Sequence, residues 1–184
     1  MSRTVTITQA KLRDLLASIT HATPLGVIAL TDARPRRKGC PFTEVRKLVR
    51  LNVMTGASFE ASVQRKGNET FTAGERQWGT RVGPSLAHHV TASGEECWYL
   101  VGHVNSLIKP RPVYLVPQPR PRGGTILTAV PKDRVAPWLP PDRTDEEAAR
   151  QGLPDGTAPV RYRNWRLDNI MAITFNGTRY RIRQ

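Results

Sequence analysis

Cysteine is scarce in this chain: Cys40 and Cys97 are the only two among 184 residues. Two cysteines make no disulfide framework, and without a CxxC pair they make no recognisable zinc site. Free thiols in a reducing compartment are the expectation. Long apolar runs are missing too. No stretch approaches the ~20 residues that a helical membrane span needs. The opening "MSRTVTITQAKLRDLL" lacks the charged-then-apolar layout of a secretory signal, so a soluble, cytoplasmic protein without a membrane partner is expected. Signatures of catalysis are likewise absent. There is no P-loop, no GxGxxG, no GxSxG and no HExxH. His21, His88, His89 and His103 have no carboxylate at metal-ligating spacing. Acids are few, and they gather only at Asp142, Asp145, Glu146 and Glu147, inside a Pro-rich stretch. No metal, no cofactor and no active site are therefore expected. An enzyme acting on nucleic acid would have to draw its metal-binding carboxylates from that cluster.

What the chain has instead is positive charge. Lys and Arg number 28 against 15 Asp and Glu, a formal net charge of +13. A surface this basic attracts polyanions through its long-range field. Arg predominates over Lys, and its planar fork suits phosphate contacts and stacking on bases.

The pattern along the chain predicts a mainly β protein with one N-terminal helix, an α+β chain forming a small SH3-like or OB-like barrel with a Pro-rich irregular insertion. One domain is expected over 1–184. It divides into an N-terminal helical region (1–23), a β core (24–130), a Pro-rich irregular segment (131–159) and a C-terminal hairpin returning to the core (160–184). Leu12, Leu15, Leu16 and Ile19 give the helix one apolar face, and Thr8 is its candidate N-cap. "PLGVIALTDA" reads as a buried strand. "KLVRLNV" and "SFEASVQR" read as a hairpin joined at "TG", with Phe59, Ala61 and Val63 on one face. Residues 67–85 read as polar and turn-rich. "HHVTASGEECWYLVGHVN" reads as strand, turn and strand. "RPVYLVPQPRPRGG" begins as a strand whose prolines should break the ladder, and "TILTAVP" as another short strand. Near the C-terminus, Asn176-Gly177 is a strong hairpin signal.

Three basic stretches are candidates for binding. "RPRRKGCPFTEVRKLVR" carries seven Lys or Arg and one acid: Arg34, Arg36, Arg37 and Lys38 in a loop, then Arg46, Lys47 and Arg50 on a strand. Either these lay a basic stripe across a sheet, or they guard a solvated edge strand. "ERQWGTRV" sets Trp78 between Arg76 and Arg81, as a stacking platform or a core plug. In the last segment Arg163 and Trp165 share a face, Arg166 follows, and Arg179 and Arg181 align beyond the turn, with Tyr180 and Ile182 opposite. Arg interleaved with aromatics is the composition of single-strand grooves, where rings stack bases and Arg tracks phosphates.

Two resemblances follow from these residues. "KGCPF…RKLVRLNV", "FTAGERQWGTRVGPSLAHHV" and "YRNWRLDNIMAITFNG" resemble a group of small uncharacterised proteins of bacteriophage and mobile-element genomes, with a G-x-P-[FY] loop and an R-x-W-G-x-R segment. "WYLVGHVN" and "RNWRLDNIMAI" resemble the WYL domain, an SH3-like β-barrel of ligand-sensing regulators. Trp98, Tyr99 and Leu100 match its first strand. Arg163, Trp165, Arg166, Leu167, Asp168 and Ile170 match its second, with Trp165 in place of Phe and Asn169 in place of Arg. That resemblance implies nucleotide or nucleic-acid binding near Arg163 and Arg166.

The leading expectation is a non-enzymatic, phage-type protein that holds nucleic acid, DNA or RNA with single strands favoured, along an Arg-rich face. The alternatives are a protein-interaction or inhibitor module that meets a host protein through the same basic surface, and a WYL-like nucleotide sensor.

Overall fold

The computed structural model describes residues 3–32, 38–56, 70–73, 76–104, 113–139 and 162–183. Its framework is a single hydrogen-bonded sheet of twelve strands, curled into a half-barrel, with few helices. The strands run β1 (Arg3–Ile7), β2 (Thr23–Asp32), β3 (Arg46–Thr55), β4 (Thr70–Ala73), β5 (Arg76–Arg81), β6 (Leu86–Val90), β7 (Glu96–Val104), β8 (Val113–Pro119), β9 (Thr125–Val130), β10 (Tyr162–Arg166), β11 (Ile170–Phe175) and β12 (Thr178–Ile182). Along the main path their order is β1-β12-β11-β2-β3-β7-β6-β5-β4.

The helix α1 (Gln9–Ala17) spans only nine residues. Thr8 caps it, its Oγ1 accepting from the Lys11 N–H at 3.2 Å, which satisfies one of the donors a helix start leaves free. Leu12 and Leu16, one turn apart, are fully buried. They join Ile19, Leu25, Val27, Val53, Leu100, Leu167, Ile170 and Ile173 in the main core. That core takes residues from strands far apart in the order, from Ile7 of β1 and Ile182 of β12 to Leu86 of β6. The sheet must therefore curl around α1 rather than lie flat, as strand twist favours.

β2 and β3 form the spine, antiparallel and in register over ten residues from Thr23↔Thr55 to Asp32↔Arg46. The sheet forks on the far flank of β3. Its first residues pair with β8 (Arg46↔Leu115 to Leu48↔Val113), and its last with β7 (Val53↔Val104, Met54↔His103). Gly102 sits at that crossing. A Cβ there would strike the Val53 side chain and stand 2.9 Å from the Met54 carbonyl oxygen. The buried Thr55 Oγ1 donates to the Val101 carbonyl at 2.7 Å, tying the two strands beside it. A second, smaller core lies under the other arm: Val45, Tyr114, Val116, Val135 and Leu139.

At the C-terminus Asn176 (φ 47) and Gly177 (φ 73) both adopt left-handed geometry, the requirement of a type I′ turn. They join β11 to β12 in register Phe175↔Thr178. β1 then pairs with β12 in parallel, Arg3↔Thr178 to Ile7↔Ile182.

Three expectations need correction. Residues 70–81, read as turn-rich, contain the β4–β5 hairpin, and β5 pairs on to β6. Threonine, phenylalanine and tryptophan in these two strands suit a pleated surface even where the apolar alternation is as short as in β4 or missing as in β5. The prolines of β8 do not end its ladder, which runs to Pro117↔Leu127 and Pro119↔Thr125 on β9. The reason is parity. The Arg120 N–H donates to the Gly124 carbonyl at 3.0 Å, so the even positions of β8 face β9. The missing N–H groups of Pro117 and Pro119 fall on the opposite flank, beyond the last residue paired to β3. Finally, the Pro-rich segment begins in order: α2 (Lys132–Val135) and a 3-10 turn (Ala136–Trp138) seat Val135 and Leu139 in the smaller core. The "SFEASVQR" strand and the Asp142–Glu147 cluster lie outside the described residues.

Candidate nucleic-acid interface

The register carries the basic residues of three distant segments onto one face. Pairing of β1, β12, β11, β2 and β3 aligns Thr6, Arg181, Ala172, Ile28 and Arg50 in one row across the sheet. The next row is Thr4, Arg179, Thr174, Gly26 and Asn52. Both lie on the face opposite α1, since the alternate residues Leu25, Val27, Ile173 and Ile182 enter the core. A one-residue irregularity between Ile170 and Ala172 puts Ala172, not Met171, into the row. At about 4.8 Å per strand, Arg50 stands ~14 Å from the Arg181 position, while Arg179 and Arg181 are ~7 Å apart along β12. Between them lie Gly26, Ala172, Thr174 and Ile28. An added Cβ at Gly26 would lie 3.3 Å from the Thr174 Cβ.

Arg50, Arg179 and Arg181 are exposed. No acidic residue stands on either row, and among the described residues none of the three makes an ion pair. The guanidinium keeps its charge throughout the accessible pH range. The face therefore offers three cations without an ion pair among the described residues, with Thr4, Thr6, Thr174 and Asn52 as neutral hydrogen-bonding groups.

The remaining sequence-selected residues separate from this set. Arg34, Arg36 and Arg37 lie outside the described residues, and Lys38 is exposed in a turn beside Gly39 (φ 90). Arg46 is half-buried and its Nε donates to Glu44 Oε1. Lys47 turns inward, its Nζ 5.6 Å over the Tyr114 ring. Arg76, Trp78 and Arg81 fall on β5, and Arg163 on β10; their side chains are outside what is described.

Two residues require correction. Trp165 is not a stacking surface: it is 8% exposed and packed in the main core. β10 lies against β7, with Trp165 opposite Leu100, and the ring supplies area that the curled sheet must fill. Arg166 is not a free cation. Its Nη2 donates to Glu95 Oε1 and to Asp168 Oδ2, each at 2.7 Å. Those two hydrogen bonds raise its pKa still further above the ordinary guanidinium value. The same strand pair holds Tyr99, whose pKa is pushed up from 10.0, first by burial and then by Cys97 beside it.

Sequence reasoning missed Asn52, Thr174, Gly26 and Ala172. Nothing in their local pattern marks them, because their role depends on which strands neighbour them.

On the inner side, a cleft of about 190 Å³ opens between α1 and the β6–β7 pair, lined by Arg13, Asp14, Val82, Ser85 and Trp98 among others. Arg13 lies 4.7 Å over the Trp98 ring, and the His88 ring lies tilted by 34° to it with centroids 4.4 Å apart. The cleft is smaller than the ~300–1,000 Å³ of ordinary small-molecule sites. Among the described residues no group of three or more His, Cys, Asp or Glu comes together as a metal site. No helix among them is long and apolar enough to cross a membrane.

No family model, curated protein or solved structure matches this chain.

Proposed function

We propose that the chain is a non-enzymatic nucleic-acid-binding protein, of the phage type its motifs resemble, that holds DNA or RNA by its phosphates. The observation that carries the reading is the set of Arg50, Arg179 and Arg181 on two adjacent rows of one sheet face, none of them in an ion pair among the described residues. Exposed charges of one sign on one face repel one another weakly in water, and an anion placed among them relieves that repulsion. A net charge of +13 supplies the attraction that brings a polyanion to it. On this reading the curled sheet does what an SH3-like or OB-like barrel does, presenting a rigid β surface along which a backbone can lie.

The two rows of this face hold no aromatic side chain. Phe175 and Tyr180 pack toward the core. Binding should then be dominated by phosphate contacts and indifferent to sequence. The preference for single strands rests on Trp78 of β5. Fluorescence anisotropy with labelled single-stranded DNA, duplex DNA and RNA tests both points. Sub-micromolar binding to mixed sequences is expected, tightest for single strands. Binding weaker than ~10⁻⁴ M near physiological salt would remove the reading.

A further inference from the structure

Among the described residues β9 pairs with β8 alone, and none of them forms a strand on its other flank. Natural edge strands are shielded by charge, proline, bulges or brevity. β9 has none of the first three: Thr125–Val130 reads TILTAV, with no charge and no proline. Residues 125 to 129 are all exposed, Ile126 by 44% and Leu127 by 37%. The hydrogen-bond parity set by Arg120 and Gly124 directs the even residues of β9 toward β8. The N–H and C=O groups of Thr125, Leu127 and Ala129 therefore point outward, as an uninterrupted template for another strand. On the outer face Leu127 and Ala129 continue Val113, Leu115 and Pro117 of β8 into one apolar strip.

Charge decides the occupant. Arg120 and Arg122 stand exposed in the turn before β9, and Lys132 and Arg134 in α2 after it, with Asp133 as the one acid. A second copy added antiparallel, Leu127 against Leu127, would bring the Arg120–Arg122 turn of each chain to the Lys132–Arg134 helix of the other. Like charges would meet at both ends. We infer that the free edge of β9 is a docking site for an extended segment of a partner protein, apolar and β-prone in its middle and acidic at both ends, which adds to the sheet as a further strand. This interaction is separate from the phosphate-holding face and does not depend on it.

The probe is a labelled nine-residue peptide of alternating valine and threonine with two acidic residues at each end. Saturable binding in fluorescence anisotropy is expected, with amide exchange at Leu127 slowed at least tenfold. Methylating alternate peptide nitrogens should weaken binding at least tenfold, as should lysine in place of the acids. Leu127→Pro removes an outward N–H while sparing the β8 ladder, so it should lose the peptide and keep both its melting temperature and its affinity for nucleic acid. Thr128→Pro, which strikes the ladder itself, should lower the melting temperature. Failure of the peptide to bind, equal binding of the methylated or lysine-ended peptide, or full binding by a folded Leu127→Pro protein would each overturn the proposal. So would self-association abolished by Leu127→Pro in a protein that ignores the peptide.

Discussion

Replacing Arg50, Arg179 and Arg181 together by alanine removes three cations from one face and leaves every described ion pair intact. All three side chains are exposed, so the fold should survive. If each neutralises one phosphate of a single strand, each contributes about 0.7 to the slope of log affinity against log salt, and the three together about 2. A fourfold rise in salt is about 0.6 log units, so the native protein should weaken roughly 20-fold more than the variant over that range. Anisotropy titrations from roughly 50 to 200 mM salt measure this directly. A matched variant, with Arg120, Arg122 and Arg134 changed to alanine, loses the same formal charge from the other arm of the sheet. It should keep most of the slope, because charges more than ~10 Å from the bound backbone are largely screened at 0.1 M salt. Equal slopes for the two variants would mean that attraction is diffuse and that the row is not a site. An unchanged slope in the first variant would refute the reasoning altogether.

Other perturbations separate packing from binding. Trp165→Ala should destabilise the fold by about 3–5 kcal/mol through a core cavity, measured by urea denaturation, while Trp165→Phe should cost far less. A stable Trp165→Ala protein that fails only in binding would contradict the burial of the ring. Gly56 has φ +86, and a Cβ there would overlap the His21 carbonyl, so Gly56→Ala should lose about 2 kcal/mol or more; unchanged stability would argue against that close approach. Tyr99 gives a pH test. Its folded pKa lies above 10.0, so the unfolded chain ionises first. The resulting stability is complete below about pH 10 and declines as pH rises through the folded value. Denaturation of the native protein and of Tyr99→Phe at mildly and strongly alkaline pH should diverge accordingly, and parallel curves would refute the shift.

The local part of the fold is readable in the chain. Thr8, Leu12 and Leu16 announce a capped helix face, and Asn176-Gly177 announces a hairpin, because each signal acts within a few residues. The β4–β5 hairpin is hidden, since β4 alternates over only four residues, Thr70 to Ala73, and β5 carries no alternation in RQWGTR. Pro117 and Pro119 mislead for a related reason. Whether proline breaks a ladder depends on which flank its nitrogen faces, and that is fixed only by the turn at Arg120 to Gly124. The parallel partnership of β1 with β12 joins the two ends of the chain and leaves no trace in either strand.

The candidate site follows the same division. Alternation alone places Arg179 and Arg181 on one face, opposite Tyr180 and Ile182, which is a local consequence of strand geometry. What alternation cannot supply is the state of each cation. Arg50 and Arg46 share a face four residues apart, yet Arg46 is held by Glu44 and Arg50 is not. Arg166 is neutralised by Glu95, 71 residues away in sequence. In composition the three arginines are equivalent; only tertiary pairing sorts them into those held by carboxylates, Arg46 and Arg166, and one left exposed without an ion pair among the described residues, Arg50. The same pairing brings Arg50 from β3 into the row of Arg181 on β12, across Ile28 and Ala172 on the two intervening strands. A basic sequence therefore measures how strongly a polyanion is drawn in, and the register of five strands determines where it would rest.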